Sequence, residues 1–333
     1  MSSIRYSTRG FASRTFKAEM SMKNPSLQDG AAEGLTAAET PFQRFVANYF
    51  ESRVATVAFF VLVVILILGF FAPLISPTDP YDLAQVDVLD SRLVPGSESY
   101  TGMTYWLGTD GAGRDLLSAI LYGLRTSLSV GVLSGLIALC IGGAVGLIAA
   151  YFGGKVETLI MRVVDIQLGF PAILVALVLV ALLGKGVDKI IIALVVVQWA
   201  YYARTVRGSA LVERRKEYIE AATCLALSHR RIVFRHLLPN CLPPLIVVGT
   251  LQTAHAISLE ATLSFLGIGL PITEPSLGLL IANGFEYMLS QKYWISFFPG
   301  IALLITIISI NLVGDQLLSL IHISEPTRLR RIS

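Results

Sequence analysis

From residue 54 onward the chain alternates long apolar runs with short polar stretches. A helix rises about 1.5 Å per residue and the hydrocarbon core of a bilayer is about 30 Å thick, so roughly 20 apolar residues suffice to cross it. Six runs reach that length, at about 54–75, 127–151, 163–183, 190–206, 241–268 and 294–317, the third of them starting amphipathically. Gly131, Gly135, Gly142, Gly143 and Gly146 lie inside the second run and Pro171 inside the third. Such residues are tolerated in membrane helices, and the small ones let neighbouring helices approach closely. The pattern predicts an all-α membrane protein with six transmembrane helices.

Composition agrees. Of 333 residues, 54% are hydrophobic and 15% charged, and the mean hydropathy is +0.68, too apolar for an ordinary soluble domain. Charge gathers before residue 54, in 76–125 and in 204–240, between the apolar runs. The net charge of +3 is small and its basic residues flank apolar runs, where they serve orientation or anionic membrane lipid rather than nucleic acid. Cys140, Cys224 and Cys241 form no C-x-x-C pair, and His229, His236, His255 and His322 stand at no ligand spacing. Neither a disulfide framework nor a metal site is expected.

Charge also sets the topology. The segment before the first run carries seven Lys or Arg, and the 204–240 loop carries eight: Arg204, Arg207, Arg214, Arg215, Lys216, Arg230, Arg231 and Arg235. The stretch 76–125 has only Arg92, Arg114 and Arg125 against seven acids. Both basic segments are therefore expected in the cytoplasm, which six crossings from a cytoplasmic N-terminus also require. Tyr287, Tyr293 and Trp294 fall where the outer aromatic belt belongs. Residues 1–53 are then a cytoplasmic tail, polar and disordered over 1–40. Its first eighteen residues lack acids and carry Arg and Ser, which fits a transit peptide or a start assigned upstream of Met20 or Met22. An uncleaved first helix at 54–75, an extracytoplasmic segment at 76–125 and five helices within 126–317 complete the order. The run from Leu318 to Arg328 looks like a translated sequencing adapter, so 318–333 is expected to be non-native.

The 204–240 loop holds the densest chemistry. Glu217-Tyr218-Ile219-Glu220-Ala221-Ala222 favours a short helix, with Pro239 and Pro243 beyond it. Adjacent Ala221 and Ala222 give a flat face that another protein can approach closely. On this chemistry alone two readings stand: a docking helix, or an amphipathic helix held on the inner membrane face by anionic lipid.

An E-A-A followed after three residues by a small residue, then a basic stretch and Leu238-Pro239, resembles the cytoplasmic E-A-A loop of ABC importer permeases. Further stretches resemble the C-type subunit of the dipeptide, oligopeptide and nickel importers. These are Leu107-Gly108-Thr109-Asp110 with Gly113-Arg114-Asp115, Gly123 with Arg125-Thr126-Ser127-Leu128, Arg235-His236 with Pro239-Asn240, and Glu260-Ala261 with Leu263-Ser264-Phe265-Leu266-Gly267. The resemblance covers about residues 42–317. It implies a type I ABC importer transmembrane domain in the bacterial inner membrane, forming half of the pathway for peptides or related small solutes. It also implies a second permease subunit as heterodimer partner, two ATPase subunits that bind ATP and Mg, and an extracytoplasmic binding protein, with no cofactor in this chain. Docking would fall to Glu217, Tyr218, Glu220, Ala221, Ala222, Ala226, Arg230, Arg235 and Pro239. The family usually has Gly where Ala226 stands; a turn of positive φ there would cost Ala about 1 kcal/mol.

Ionisable groups inside spans are expensive and functional by default. Glu260, with Ser264 one turn on, either faces a translocation pathway or pairs with a polar group on a neighbouring helix. Asp165, three residues after Arg162, is expected to pair with it. Gly108 to Asp115 lacks the G-x-G-x-x-G spacing, and Gly153-Gly154-Lys155 lacks the upstream glycine of a P-loop. Neither is a nucleotide loop, and no nucleophile–base set, aspartate pair or H-E-x-x-H marks an enzyme.

Overall fold

The computed structural model describes residues 41–324 except Leu83, Gln85, Thr101 and Ile272. The expected disordered tail at 1–40 and the terminal residues 325–333 lie outside them. The chain divides into two units, residues 1–48 and 49–333. Of the first, only the start of helix α1 (Pro41–Glu51) is described. This helix begins where the stretch expected to be disordered ends: Phe42, Phe45, Val46 and Tyr49 recur at helical spacing behind a first-position proline.

The second unit is a helical bundle. Helix α2 (Arg53–Phe70) is capped by Ser52, whose hydroxyl accepts from Ala55 N at 3.4 Å, and one turn, α3 (Ala72–Ile75), follows it. The segment expected outside then forms a tight turn at Val88–Asp90 and a hairpin in which β1 (Ser97–Glu98) pairs antiparallel with β2 (Thr104–Tyr105). Buried Asp90 organises it: one carboxylate oxygen accepts from Ser99 Oγ at 2.5 Å and Tyr105 OH at 2.9 Å, while its carbonyl accepts from Thr109 Oγ1 at 2.5 Å.

Helix α4 (Leu116–Phe152) begins well before residue 127, since Asp115 caps it by accepting from Ser118 N at 2.9 Å. Residues 116–125 are therefore helix rather than outer loop. The third predicted span differs more. Helices α5 (Gly154–Gly169) and α6 (Ala172–Leu183) meet at 89°. Pro171 has no N–H to give a helix and forces Phe170 into extended backbone (φ −90°, ψ 142°). Among the described residues, five helices are thus long and apolar enough to cross a bilayer, or six if this bent pair makes one crossing.

Helix α7 (Val187–Arg214) packs along α4. It leads to α8 (Glu217–Cys224) and α9 (His229–Arg231), then through a widened π turn at Ile232–Leu237 into α10 (Leu238–Phe265). A short helix, α11 (Leu277–Phe285), precedes α12 (Trp294–Ser324). The main core joins α2, α4, α10, α11 and α12 through Ile65, Leu124, Ile257, Leu277 and Ile310. Trp294, expected in an interfacial belt, is buried in that core, whereas Tyr293 is exposed.

Candidate functional site

The loop from Glu217 to Pro239 folds as two helical pieces around a sharp turn. Helix α8 turns Ile219 and Ala222 inward, where they cluster with Ile232 against Tyr151 and Leu227. Glu217, Glu220, Ala221 and Cys224 remain exposed at spacings of three and four, one outward stripe. The flat two-alanine face is therefore corrected: Ala221 is exposed, but Ala222, three residues after Ile219, shares the buried stripe. Tyr218 is half-exposed, and Ala226, Arg230, Arg235 and Pro239 are exposed.

The turn needs the conformation that the family glycine would supply. Ala226 has φ +53°, and Leu227 N closes back on Ala222 O at 3.2 Å, a C-terminal cap built around a left-handed residue. Replacing Ala226 with Gly removes the Cβ clash and is expected to slow amide exchange of Leu225 to Leu227 about fivefold, from roughly 1 kcal/mol of relieved strain. Equal or faster exchange would contradict that account.

Contacts both within the loop and distant in sequence hold it. Glu213 accepts from Tyr218 OH at 2.5 Å and pairs with Lys216. Burial, then this carboxylate acceptor, push the Tyr218 phenol well above its ordinary range. Arg214 donates to Ala150 O at 2.9 Å, and Tyr151 OH contacts His229 Nδ1, so both sides of the loop rest on the end of α4. Arg207 grips Glu157 Oε1 through Nε at 2.8 Å and Nη2 at 2.5 Å. Asp165 pairs with Arg204 on α7, not with Arg162, because the bend at Pro171 lays α5 across α7. Arg204, Arg207, Arg214 and Lys216 are thus engaged, which leaves Arg215, Arg230, Arg231 and Arg235 exposed with no ion pair among the described residues. Sequence reasoning missed Glu157 and Tyr151 because their partners, 50 and 78 residues away, are fixed only by tertiary contact; Glu213, which pairs locally, was simply not singled out.

Glu260 and Ser264 do not face an open pathway in this chain. Glu260 is 0% exposed and Ser264 1%. The carboxylate accepts from Ser127 Oγ on α4 at 2.8 Å and from Ser264 Oγ at 2.7 Å, which is the pairing alternative. Cys140, Cys224 and Cys241 are free thiols. Among the described residues no three His, Cys, Asp or Glu side chains gather to hold a metal.

Long apolar helices around a basic loop, with an acidic stripe exposed on a helix packed against the bundle, mark a multi-spanning membrane protein. Residues 142–322 match the family of binding-protein-dependent transport system inner membrane components, and residues 40–95 match the N-terminal TM domain of oligopeptide transport permease C. The chain belongs to this permease family. The dipeptide transport system permease protein DppC of Escherichia coli K12 is 39% identical over 279 residues, 84% of this chain and 91% of that one. A putative peptide transport system permease protein of Brucella suis is 44% identical over 216 residues, 65% of this chain and 72% of its own. The fold also matches a subunit of an inward-facing MetNI methionine ABC transporter, with TM-score 0.51, 21% identity, and coverage of 61% of this chain and 96% of that one. The match to residue 322 and the unbroken course of α12 through Ser324 both run past the expected native end near Leu317.

Proposed function

We propose that this permease is half of the membrane pathway of an ATP-driven importer for peptides or related small solutes, and that the Glu217–Pro239 loop docks one of two separate ATPase subunits. The observation that carries the reading is the exposure of Glu217, Glu220 and Ala221 on a helix whose inner face is locked to α4. A helix bound to anionic lipid would turn apolar and basic residues outward. Here Ile219 and Ala222 face inward and the outward stripe is acidic, which favours a protein partner. The exposed Arg230, Arg231 and Arg235 add a basic edge beside that stripe.

The remaining assembly follows from the family: a second permease as heterodimer partner, two ATPases that bind ATP and Mg, and an extracytoplasmic binding protein. The relatives named for peptides and dipeptides support that substrate class. Location in the bacterial inner membrane with a cytoplasmic N-terminus agrees with the basic flanks. That topology makes the bent α5–α6 pair a full crossing, since an even number must separate α1 from the docking loop. Transport then proceeds by alternating access: ATP closes the ATPases, the docked loops move inward with them, and the spans rock open toward the binding protein.

Glu220→Arg tests the docking. Reversing the charge at the centre of the stripe is expected to weaken ATPase co-purification about tenfold or more, while membrane insertion stays normal. ATPase co-purification at the wild-type level with normal insertion would sink the reading.

A further inference from the structure

The second half of the docking loop, from His229 on, and Glu260 stand on one rod. His229–Phe265 is a continuous 37-residue helical run, with the π turn near one end and Glu260 near the other. The distance from His229 to Glu260 is about 45 Å by helical rise. At the far end the carboxylate joins three elements. Ser127 on α4 donates to it, and the same Ser127 Oγ accepts from Leu277 N at 3.4 Å, the first residue of α11. Ser264 donates from the rod itself. Ser276, fully buried beside the carboxylate, caps α11 by accepting from Leu279 N at 3.2 Å.

Helix α11 leads on to the outer surface. Gly278 lies on the backbone of Ala261, and Ser296 Oγ donates to Ile281 O at 3.0 Å. Tyr287, just past the helix, stacks under the Arg92 guanidinium at 5.6 Å and against Gly111, both in the outer segment. A chain of direct contacts therefore runs from the rod through Glu260 and α11 to residues 92–111.

We infer that Glu260 is a positioning residue that couples the docking-loop rod to helix α11 and the outer segment. This rests on the docking proposed above. A fully buried carboxylate held only by hydroxyls is a poor device for stability, since well-packed apolar residues usually match or exceed buried charge on that score. What it does supply is two directed acceptor bonds, one from Ser264 on its own helix and one from Ser127, whose Oγ also accepts from Leu277 N, so that α4, α10 and α11 move together. Coupling through such a clamp requires an element that responds at both ends, and that is measurable.

The test is hydrogen exchange on the full chain, alone and in the ATPase-containing complex, with Glu260→Leu and Glu260→Gln. In the chain alone, Glu260→Leu is expected to raise exchange of Leu277–Phe285 about tenfold, from the lost acceptor bonds, while Glu260→Gln stays near wild type. In the complex, ATP with vanadate is expected to change exchange in residues 92–111 of wild type and Glu260→Gln, but not of Glu260→Leu. Unchanged exchange of Leu277–Phe285 in Glu260→Leu overturns the inference. So does an outer-segment response that survives in that variant or is absent from wild type. Should Glu260→Leu fail to insert, Ser127→Ala carries the same expectations and the same refutations. If wild type fails to retain the ATPase, the docking reading falls, and exchange in the chain alone still decides the clamp.

Discussion

Gly142→Val is expected to remove most of the folded protein from the membrane, read as loss of a monodisperse peak after detergent extraction. Helices α4 and α7 cross with their backbones nearly touching at Gly142 and Gly146. A Cβ at Gly142 would run into Trp199 O and lie 2.8 Å from Tyr202 Cβ and 3.0 Å from Ala203 N. One at Gly146 would strike Ala203 O. The obstacles are backbone and Cβ atoms, so no rotamer change gives way and α7 itself must move. That helix is fixed on its other side by Ala200 and Ala203 against Val164, and by Arg207 on Glu157. Overpacking alone costs about 1–3 kcal/mol, more where backbone shifts, against a total stability of only about 5–15 kcal/mol. Gly143→Val is the control: a Cβ there meets nothing within 4 Å. Equal damage from both substitutions would show that valine in this helix, and not the crossing, is at fault.

The crossing also shows where sequence reading stops. The glycine run in the second apolar stretch announces close packing, but not which of five glycines touches a neighbour, because that depends on the crossing angle and register. Hydropathy located the spans because transfer into hydrocarbon depends on local composition. It could not foresee that α4 extends to Leu116 under the Asp115 cap, nor that Pro171 turns one apolar run into two helices at 89°. The helix of the 204–240 loop was legible for the same local reason, alternation of Glu, Ala and Ile, whereas the turn at Ala226 was flagged by family likeness, and its φ is +53°. Ala222 was misplaced because adjacent small residues look alike until helix phase puts one on each face. The partners of Asp165 and Glu260, Arg204 and Ser127, lie 39 and 133 residues away and are fixed only by tertiary contact.

Gly113→Ala is expected to unfasten the outer segment while leaving the spans intact. The stretch Leu107 to Asp115, quoted above for its family likeness, is a clasp. Asp110 Oδ1 accepts from Ala112 N at 2.8 Å and Arg114 N at 3.0 Å, and its Oδ2 accepts from Arg114 Nε at 2.7 Å. Gly113 closes this loop at φ +89°, with Asp87 O directly where a Cβ would sit. Alanine therefore meets two separate costs. The left-handed backbone costs about 1 kcal/mol, and the clash pushes residues 87–91 off the clasp. Displacing them carries Asp90 away from Ser99, Tyr105 and Thr109, and a buried carboxylate without its donors costs about 1–3 kcal/mol more. The sum corresponds to about a hundredfold rise in local opening, measured as amide exchange across residues 87–109. Gly96→Ala separates the two costs, since Gly96 has φ +80° but nothing within 4 Å of a Cβ. It should show only the strain, about a fivefold rise. Because Asp115, the N-cap just before α4, holds Ser118 N without help from residues 87–91, the spans should insert normally in both variants; loss of insertion in Gly113→Ala would mean that the clasp nucleates α4 rather than merely decorating its end.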